Sequence, residues 1–478
     1  MEARKSLIGR EHEIAELERC YASDKSEFVV VYGRRRVGKT FLVDQLLGEK
    51  FTFRYTGGHA LTQAEQLARF AKALSHYSGA RYAPALRDWF GAFDCLQELL
   101  EARPAEERRV VFIDEMPWMD THRSDFVKAF EHFWNSWAVP RGDVMLVASG
   151  SSTSWMADRL FAHQGGLHNR ITRRIYLKPF TLYETELFLA AKGARWDRFQ
   201  TVQCYMALGG VPYYLELLDP TKSLGQNLDA LFFAPSGMLR DEFDELYTSL
   251  FAQADNYISV VQALAAKREG MTRQEVVAQT GIQGSSLTKV LTNLERCDFI
   301  MGYSPFGKLA RGTVYRLADF YTLFYLRFVR GHRGKDEHFW THSLNTPTVN
   351  AWQGYTFELV CLSHLTQVKA ALGIAGMLTE ASTWRGGEER KTQIDLLIDR
   401  ADRMVNVCEM KFAVGPYAID SAYAMRLRER LAIFQQATKT RKGLALTFIT
   451  TYGVVQNAHA GLVASQVTMD DLFEPERR

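Results

Sequence analysis

Apolar residues in the first part of the chain come in short unbroken runs. Phe28–Tyr32 (FVVVY), Val110–Ile113 (VVFI) and Val144–Ala148 (VMLVA) each have the length of one strand and no polar face, as expected of strands buried on both sides of a parallel sheet. FLVDQLL, from Phe41, instead repeats at helical spacing. After Pro220 helical periods dominate. In Gly270–Tyr303 they flank Gly281, predicting helix-turn-helix with Val276, Val277 and Ile282 in its core and Ser285 capping the second helix. That helix buries Leu287, Val290, Leu291 and Leu294. FIMGYSPFGKLARGTVYRLAD then alternates around glycine-containing turns, the pattern of a β-hairpin. From Trp352 the order is helix (WQGYTFELVCLSHL), three strand-like runs (MLTEASTW, TQIDLLID, MVNVCEMKF) and a long helix rich in Arg and Leu. The class is α/β.

The 478 residues exceed one hydrophobic core and predict roughly three domains. With 47% hydrophobic and 24% charged residues the balance is that of a folded globular chain. No apolar run approaches the ~18 residues of a membrane span, and MEARKSLIGREHE has no apolar signal core. A cytoplasmic protein without membrane contact is expected. The six cysteines are scattered, with no CxxC pair, and read as small buried residues in a reducing compartment. A net charge of +3 neither requires nor excludes nucleic acid.

The strongest chemical signal is GRRRVGKT, between the FVVVY run and the FLVDQLL helix. Gly33 and Gly38 permit the bends that turn the N–H groups of Gly33, Arg34, Arg35, Arg36, Val37, Gly38, Lys39, Thr40 and Phe41 toward phosphate oxygens, at the positive end of the helix. Lys39 would neutralise the β- and γ-phosphates of ATP, and Thr40 would offer its hydroxyl to Mg²⁺. VVFIDE supplies Asp114 for the same Mg²⁺ and Glu115 to polarise the attacking water. VMLVASG ends in Ser149, with Ser151 following. Either a sensor of the γ-phosphate or a loop cap satisfies that pattern.

These segments resemble the archaeal-type ATPases of the STAND class, relatives of the AAA+ proteins: LIGREHEIAELER (Leu7–Arg19) as the opening motif, GRRRVGKT and FIDE as the nucleotide motifs, ASGSS as the sensor strand. GGVPYYL (Gly209–Leu215) is similar to the Gly-x-Pro element, which implies that Pro212 packs near the adenine. HNRITRRIYLKPFTLYE (His168–Glu184) stands where the resemblance implies an arginine finger, from Arg170, Arg173 or Arg174; three bases near a strand edge equally describe a solvated face.

In the middle of the chain, the helix-turn-helix with its hairpin resembles a winged helix. Its exposed side, Gln283, Ser286, Lys289 and Thr292, would read DNA. Few of these are basic, and the resemblance implies a winged helix packed on the ATPase core, so packing within the protein is the favoured use. Asp319–Trp340 is an aromatic stripe followed by a basic run, read as a core helix leading into a charged linker, with stacking on single-stranded nucleic acid as the alternative.

In the C-terminal part, period-two geometry puts Glu409 and Lys411 on one face of their strand, with Cys408 and Met410 on the other. If the preceding strand is an antiparallel neighbour, Asp395 approaches the same face. Two carboxylates could then share Mg²⁺ or Mn²⁺, and the ammonium could orient a water. The arrangement resembles the PD-(D/E)xK nuclease superfamily, whose restriction-endonuclease-like α/β/α fold is thereby implied. The resemblance makes Asp395 and Glu409 metal ligands, Lys411 the catalytic base or electrostatic aid, and Glu358 an accessory acid. Ile394 stands where the superfamily has proline, and E-x-K on a solvent-facing strand edge is the competing explanation.

The expected organisation is a P-loop NTPase core with a parallel sheet (1–180), a helical lid (181–265), a winged helix (266–335) and a nuclease-like domain (336–478). The expected function is an ATP-hydrolysing switch, exchanging ATP and ADP, that controls metal-dependent cleavage of DNA or RNA, with homo-oligomers compatible. The alternative is a signalling, scaffold or transcription-regulating ATPase whose C-terminal domain binds nucleic acid or protein without cutting.

Overall fold

The computed structural model describes residues 7–104, 107–161, 167, 169–251, 253–307, 312–332, 334, 336–386 and 392–476. His168, residues 308–311 at the tip of the expected hairpin, and residues 333 and 335 of the basic run lie outside the described residues. The chain divides into two compact units, Met1–Pro179 and Phe180–Arg478.

The first unit is built on five parallel strands: β1 (Glu27–Tyr32), β2 (Phe51–Thr56), β3 (Arg109–Asp114), β4 (Val144–Gly150) and β5 (Arg173–Tyr176), in the order β2-β3-β4-β1-β5. Every residue of β3 and β4 is buried. Alternate positions serve opposite faces. Phe28, Val30, Val111, Ile113, Leu146 and Ala148 pack with Trp89, Phe93, Phe130 and Trp134, while Val29, Val31, Val110, Phe112, Met145 and Val147 pack with Leu17, Leu42 and Val43. Helices on both faces explain why these strands read as continuous apolar runs. Because all five strands run the same way, the carboxyl ends of β1, β3 and β4 open onto one edge, where such sheets bind ligands.

In the second unit, three short strands, β6 (Met271–Thr272), β7 (Ile300–Tyr303) and β8 (Val314–Leu317), pair antiparallel in the order β6-β8-β7. Between β6 and β7 lie the helices Arg273–Thr280 and Gly284–Arg296. Gly281, at φ 74°, ends the first of them, a left-handed position that glycine fills without steric cost. The cap of the second differs from expectation. Gln283 is its N-cap, with no side-chain hydrogen bond, so Ser285 lies inside the helix. Gly284, itself at positive φ, opens that helix and places Ser285 too late to cap. Val276 is buried, whereas Val277 and Ile282 are partly buried at the margin of the core.

The C-terminal sheet contains β9 (Thr379–Gly386), β10 (Thr392–Arg400), β11 (Met404–Lys411), β12 (Gly443–Thr450) and β13 (Ser465–Thr468), in the order β13-β12-β11-β10-β9. β9, β10 and β11 form an antiparallel meander; β11, β12 and β13 are parallel. The long helix Ser421–Thr438 supplies the crossover from β11 to β12 that a parallel pair requires. Cys408, Met410, Leu396 and Ile398 share a core with Phe357 and Cys361 of helix Pro347–Ser363. Val405, Val407 and Leu397, on the alternate positions, pack with Phe434 of helix Ser421–Thr438. Among the described residues, no helix is long and apolar enough to cross a membrane.

Candidate functional sites

The first site forms where β1 runs into helix Lys39–Leu47. Gly33 sits at φ +149°, and a Cβ there would lie 2.2 Å from the Leu177 carbonyl oxygen. Only glycine lets the loop leave β1 this close to the backbone of its neighbour. Arg36 and Gly38 also have positive φ, 72° and 89°. Arg34 is buried, Arg35 and Arg36 are half-buried, and Phe41 is exposed.

Lys39 is 5% exposed. Its ammonium donates to the Gly33 carbonyl (3.0 Å), the Arg34 carbonyl (2.9 Å) and the Ser151 hydroxyl (3.0 Å). Thr40 Oγ1 lies 3.1 and 3.0 Å from the two carboxylate oxygens of Asp114. The Ser149 hydroxyl donates to Asp114 and accepts from the Glu115 N–H at 3.3 Å. Glu115 itself has φ 47°, an uncommon conformation for a residue with a Cβ. Its carboxylate takes two bonds from Ser151, one from the hydroxyl (2.5 Å) and one from the backbone N–H (3.0 Å). β3 and β4 thus present Asp114, Glu115, Ser149 and Ser151 to the glycine loop, and Ser151 connects the lysine to the acid. The hydroxyl of Thr40 beside the carboxylate of Asp114 is an all-oxygen donor pair, which fits Mg²⁺.

The arginines of the expected finger lie elsewhere on this unit. Arg173 and Arg174 pair with Val29 and Val30 of β1, short of the Tyr32 end that leads into the loop. Arg173 forms an ion pair with Glu16 at 3.1 Å, Arg174 lies over the Phe161 ring at 4.4 Å, and Arg170 is exposed in the preceding turn. Pro212 belongs to the second unit, in the first turn of helix Pro212–Glu216. Gly210 before it has φ +64° and lies against the Phe180 carbonyl.

The second site lies at the ends of β10 and β11. Leu396 pairs with Cys408 across the two strands, and the β9–β10 register shifts between Ile394 and Leu397. Such an irregularity re-aims a side chain, and it falls at Asp395. Asp395 Oδ1 accepts from Arg316 Nη2 at 2.7 Å and from Gln393 Nε2 at 2.6 Å. Glu409 pairs with Lys411 at 2.7 Å and with Arg430, and accepts from the Tyr423 hydroxyl at 2.5 Å. Glu358 completes the group. Burial, then the nearby Asp395 carboxylate, push its carboxyl up to about 8, against the opposing pull of Arg316 and Lys411. Asp395, Glu409, Lys411 and Glu358 are therefore close enough to act on one another.

Sequence reasoning missed Arg316, Tyr423 and Arg430. The last two were findable, because Tyr423, Leu427 and Arg430 stand four and three apart and share one face of their helix. Arg316 carried no such signal. Among the described residues, no group of three His, Cys, Asp or Glu side chains could hold a metal ion.

Residues 7–218 match the family model described as an ATPase domain predominantly from Archaea. An uncharacterized protein of Methanocaldococcus jannaschii is 24% identical over 412 residues, covering 85% of this chain and 87% of that protein. An uncharacterized ATP-binding protein of the same organism is 42% identical over 44 residues, 9% of this chain and 75% of its own length. Among solved structures, a Walker-type ATPase of Pyrococcus abyssi superposes with a TM-score of 0.50 at 19% identity, over 68% of this chain and 97% of that one. Together with the loop geometry, these matches define the N-terminal region as a P-loop ATPase domain of the archaeal type.

Proposed function

We propose that this protein is an ATP-hydrolysing switch whose nucleotide state controls a nuclease-like C-terminal region. The observation that carries the ATPase part is the joint placement of Lys39, Thr40, Asp114 and Glu115 at one sheet edge. On substrate binding, Lys39 exchanges the Gly33 and Arg34 carbonyls for the β- and γ-phosphates, and the loop N–H groups take up the remaining phosphate charge. Thr40 and Asp114 would hold Mg²⁺, which would supply positive charge against the phosphates. Glu115, once Ser151 turns to the γ-phosphate, accepts the proton of the attacking water. Ser149 keeps Asp114 oriented.

The nuclease-like reading of the C-terminal region is supported by the convergence of Asp395, Glu409 and Lys411 of an antiparallel strand pair with Glu358 of helix Pro347–Ser363. Their chemistry suits work on a phosphodiester: Lys411 as the charge that steadies a phosphate oxygen or a water, Glu358 as a carboxyl able to hold a proton near neutral pH. In this arrangement the residues do not fit a divalent metal. Both would-be ligands already face guanidinium groups, Asp395 that of Arg316 and Glu409 that of Arg430. Nucleic acid is the proposed target. On helix Gly284–Arg296 and its N-cap, Gln283, Ser286 and Lys289 are exposed, which leaves a winged-helix contact with DNA open to the same test.

Plasmid DNA, single-stranded DNA and RNA are incubated with Mg²⁺ or Mn²⁺, with and without ATP, using wild type, Lys411→Ala and Lys39→Ala. Cutting by wild type, its loss in Lys411→Ala and an altered ATP dependence in Lys39→Ala are expected. Retained ATP hydrolysis with no cutting under any condition would make the C-terminal region a binding module.

A further inference from the structure

The bases around Glu409 come from its own surroundings: Lys411 lies two residues along β11 and Arg430 on the helix that follows. The base on Asp395 comes from much earlier in the chain. Arg316 belongs to β8, in the segment read as a winged helix. It is 2% exposed. Besides Asp395 it reaches the Glu269 carbonyl through Nε at 3.3 Å and lies 5.8 Å from the Tyr303 ring centroid. Among the described residues, its buried Nη1 has no hydrogen-bond partner. A buried guanidinium needs a counter-charge, because an unpaired buried charge is strongly destabilising. Asp395 supplies it.

The same segment is fastened to the edge of the C-terminal sheet. The Phe306 N–H donates to the Thr383 carbonyl at 2.9 Å, and the Thr383 N–H donates back to Ser304 at 3.3 Å, so the chain after β7 runs alongside β9. Phe306 packs edge-on against Phe434 at 5.1 Å. From β9, Arg385 reaches back to the Glu269 and Gly270 carbonyls beside β6. One docked segment therefore both covers β9 and inserts a cation at Asp395. The segment is thus held by two backbone bonds, the Phe306–Phe434 contact, the Arg385 bonds and the Arg316–Asp395 ion pair.

We propose that Arg316 is an internal latch: it occupies the Asp395 carboxylate as a built-in cation and keeps the C-terminal cluster closed to a divalent metal while the β7–β8 segment is docked on β9. The latch rests on the reading of that cluster as a nuclease-type site. Guanidinium and metal compete for the same oxygens, so the apparent metal affinity is the intrinsic affinity reduced by the fraction of molecules that are undocked.

The test is Mn²⁺ binding to the full-length, nucleotide-free chain, followed by the loss of the free-ion paramagnetic resonance signal. Wild type, Arg316→Met, Asp395→Asn and the double variant are compared. Arg316→Met is expected to bind one ion at least about tenfold more tightly than wild type, and adding Asp395→Asn should remove that gain. Equal, Asp395-dependent binding in wild type and Arg316→Met overturns the latch and leaves the nuclease-type reading standing. Absence of Asp395-dependent binding in both overturns that reading and the latch with it. Should Arg316→Met fail to fold, amide exchange of the wild type at Phe306 and Val314–Leu317 replaces it. Faster exchange with Mn²⁺ bound supports the latch, and unchanged exchange with Mn²⁺ bound overturns it.

Discussion

Glu115→Gln is expected to bind ATP about as well as wild type and to hydrolyse it at least about a hundredfold more slowly, the usual worth of a positioned general base. Lys39→Ala should instead lose ATP itself. The difference follows from what each side chain holds. Glu115 accepts from the Ser151 N–H and hydroxyl, and glutamine keeps the size, with a carbonyl oxygen for the N–H and an amide NH2 that can donate to the hydroxyl oxygen, while losing the ability to take a proton. Lys39 supplies the positive charge of the loop and places it beside the Gly33 and Arg34 carbonyls and Ser151, so alanine removes a contact that the ground state and the transition state both use. Equilibrium binding of a fluorescent ATP analogue, set beside steady-state phosphate release, separates the two effects. Equal turnover in Glu115→Gln and wild type would remove Glu115 from the chemistry.

The second large effect concerns stability. In metal-free buffer, Glu358→Gln should flatten the decline of the C-terminal unit's melting temperature between about pH 5 and pH 8. The folded carboxyl is raised from an ordinary 4.5 to about 8, so the folded state holds a proton that the unfolded chain has already released. Stability from this group is fully present below the unfolded value and is lost as pH rises toward and through 8. Glutamine never ionises, so its advantage grows over the same window. It reaches at most about 5 kcal/mol, and less to the extent that water screens a half-buried group. Coincident melting curves for the two proteins at pH 6 and pH 9 would show that Glu358 is not held in this way.

How much of this was legible in the sequence depends on the range of each interaction. The run from Phe28 to Thr40 could be read because strand, loop and helix follow one another, and the backbone demands at Gly33 and Gly38 are local. Glu409 and Lys411 could be placed on one face because a strand repeats every two residues, and the expected antiparallel neighbour is β10. Ser285 was misplaced because cap selection turned on one residue, Gly284, whose positive φ shifts the helix start. Arg316 was invisible for a different reason. Its partner lies 79 residues away, and a strand arginine reads as exposed until the fold shows what covers it. The Glu115–Ser151 bond was half legible: two serines at the end of β4 stood out, but which of them faces Asp114 and which faces Glu115 depends on the backbone turn after Gly150.

Mg²⁺-dependent phosphate release from ATP by the full-length chain, measured beside Lys39→Ala purified in the same way, tests the central claim most directly. Release by wild type that falls to background in Lys39→Ala is the predicted result. Release at the same rate by both proteins would place the activity outside this loop and contradict the assignment of the site.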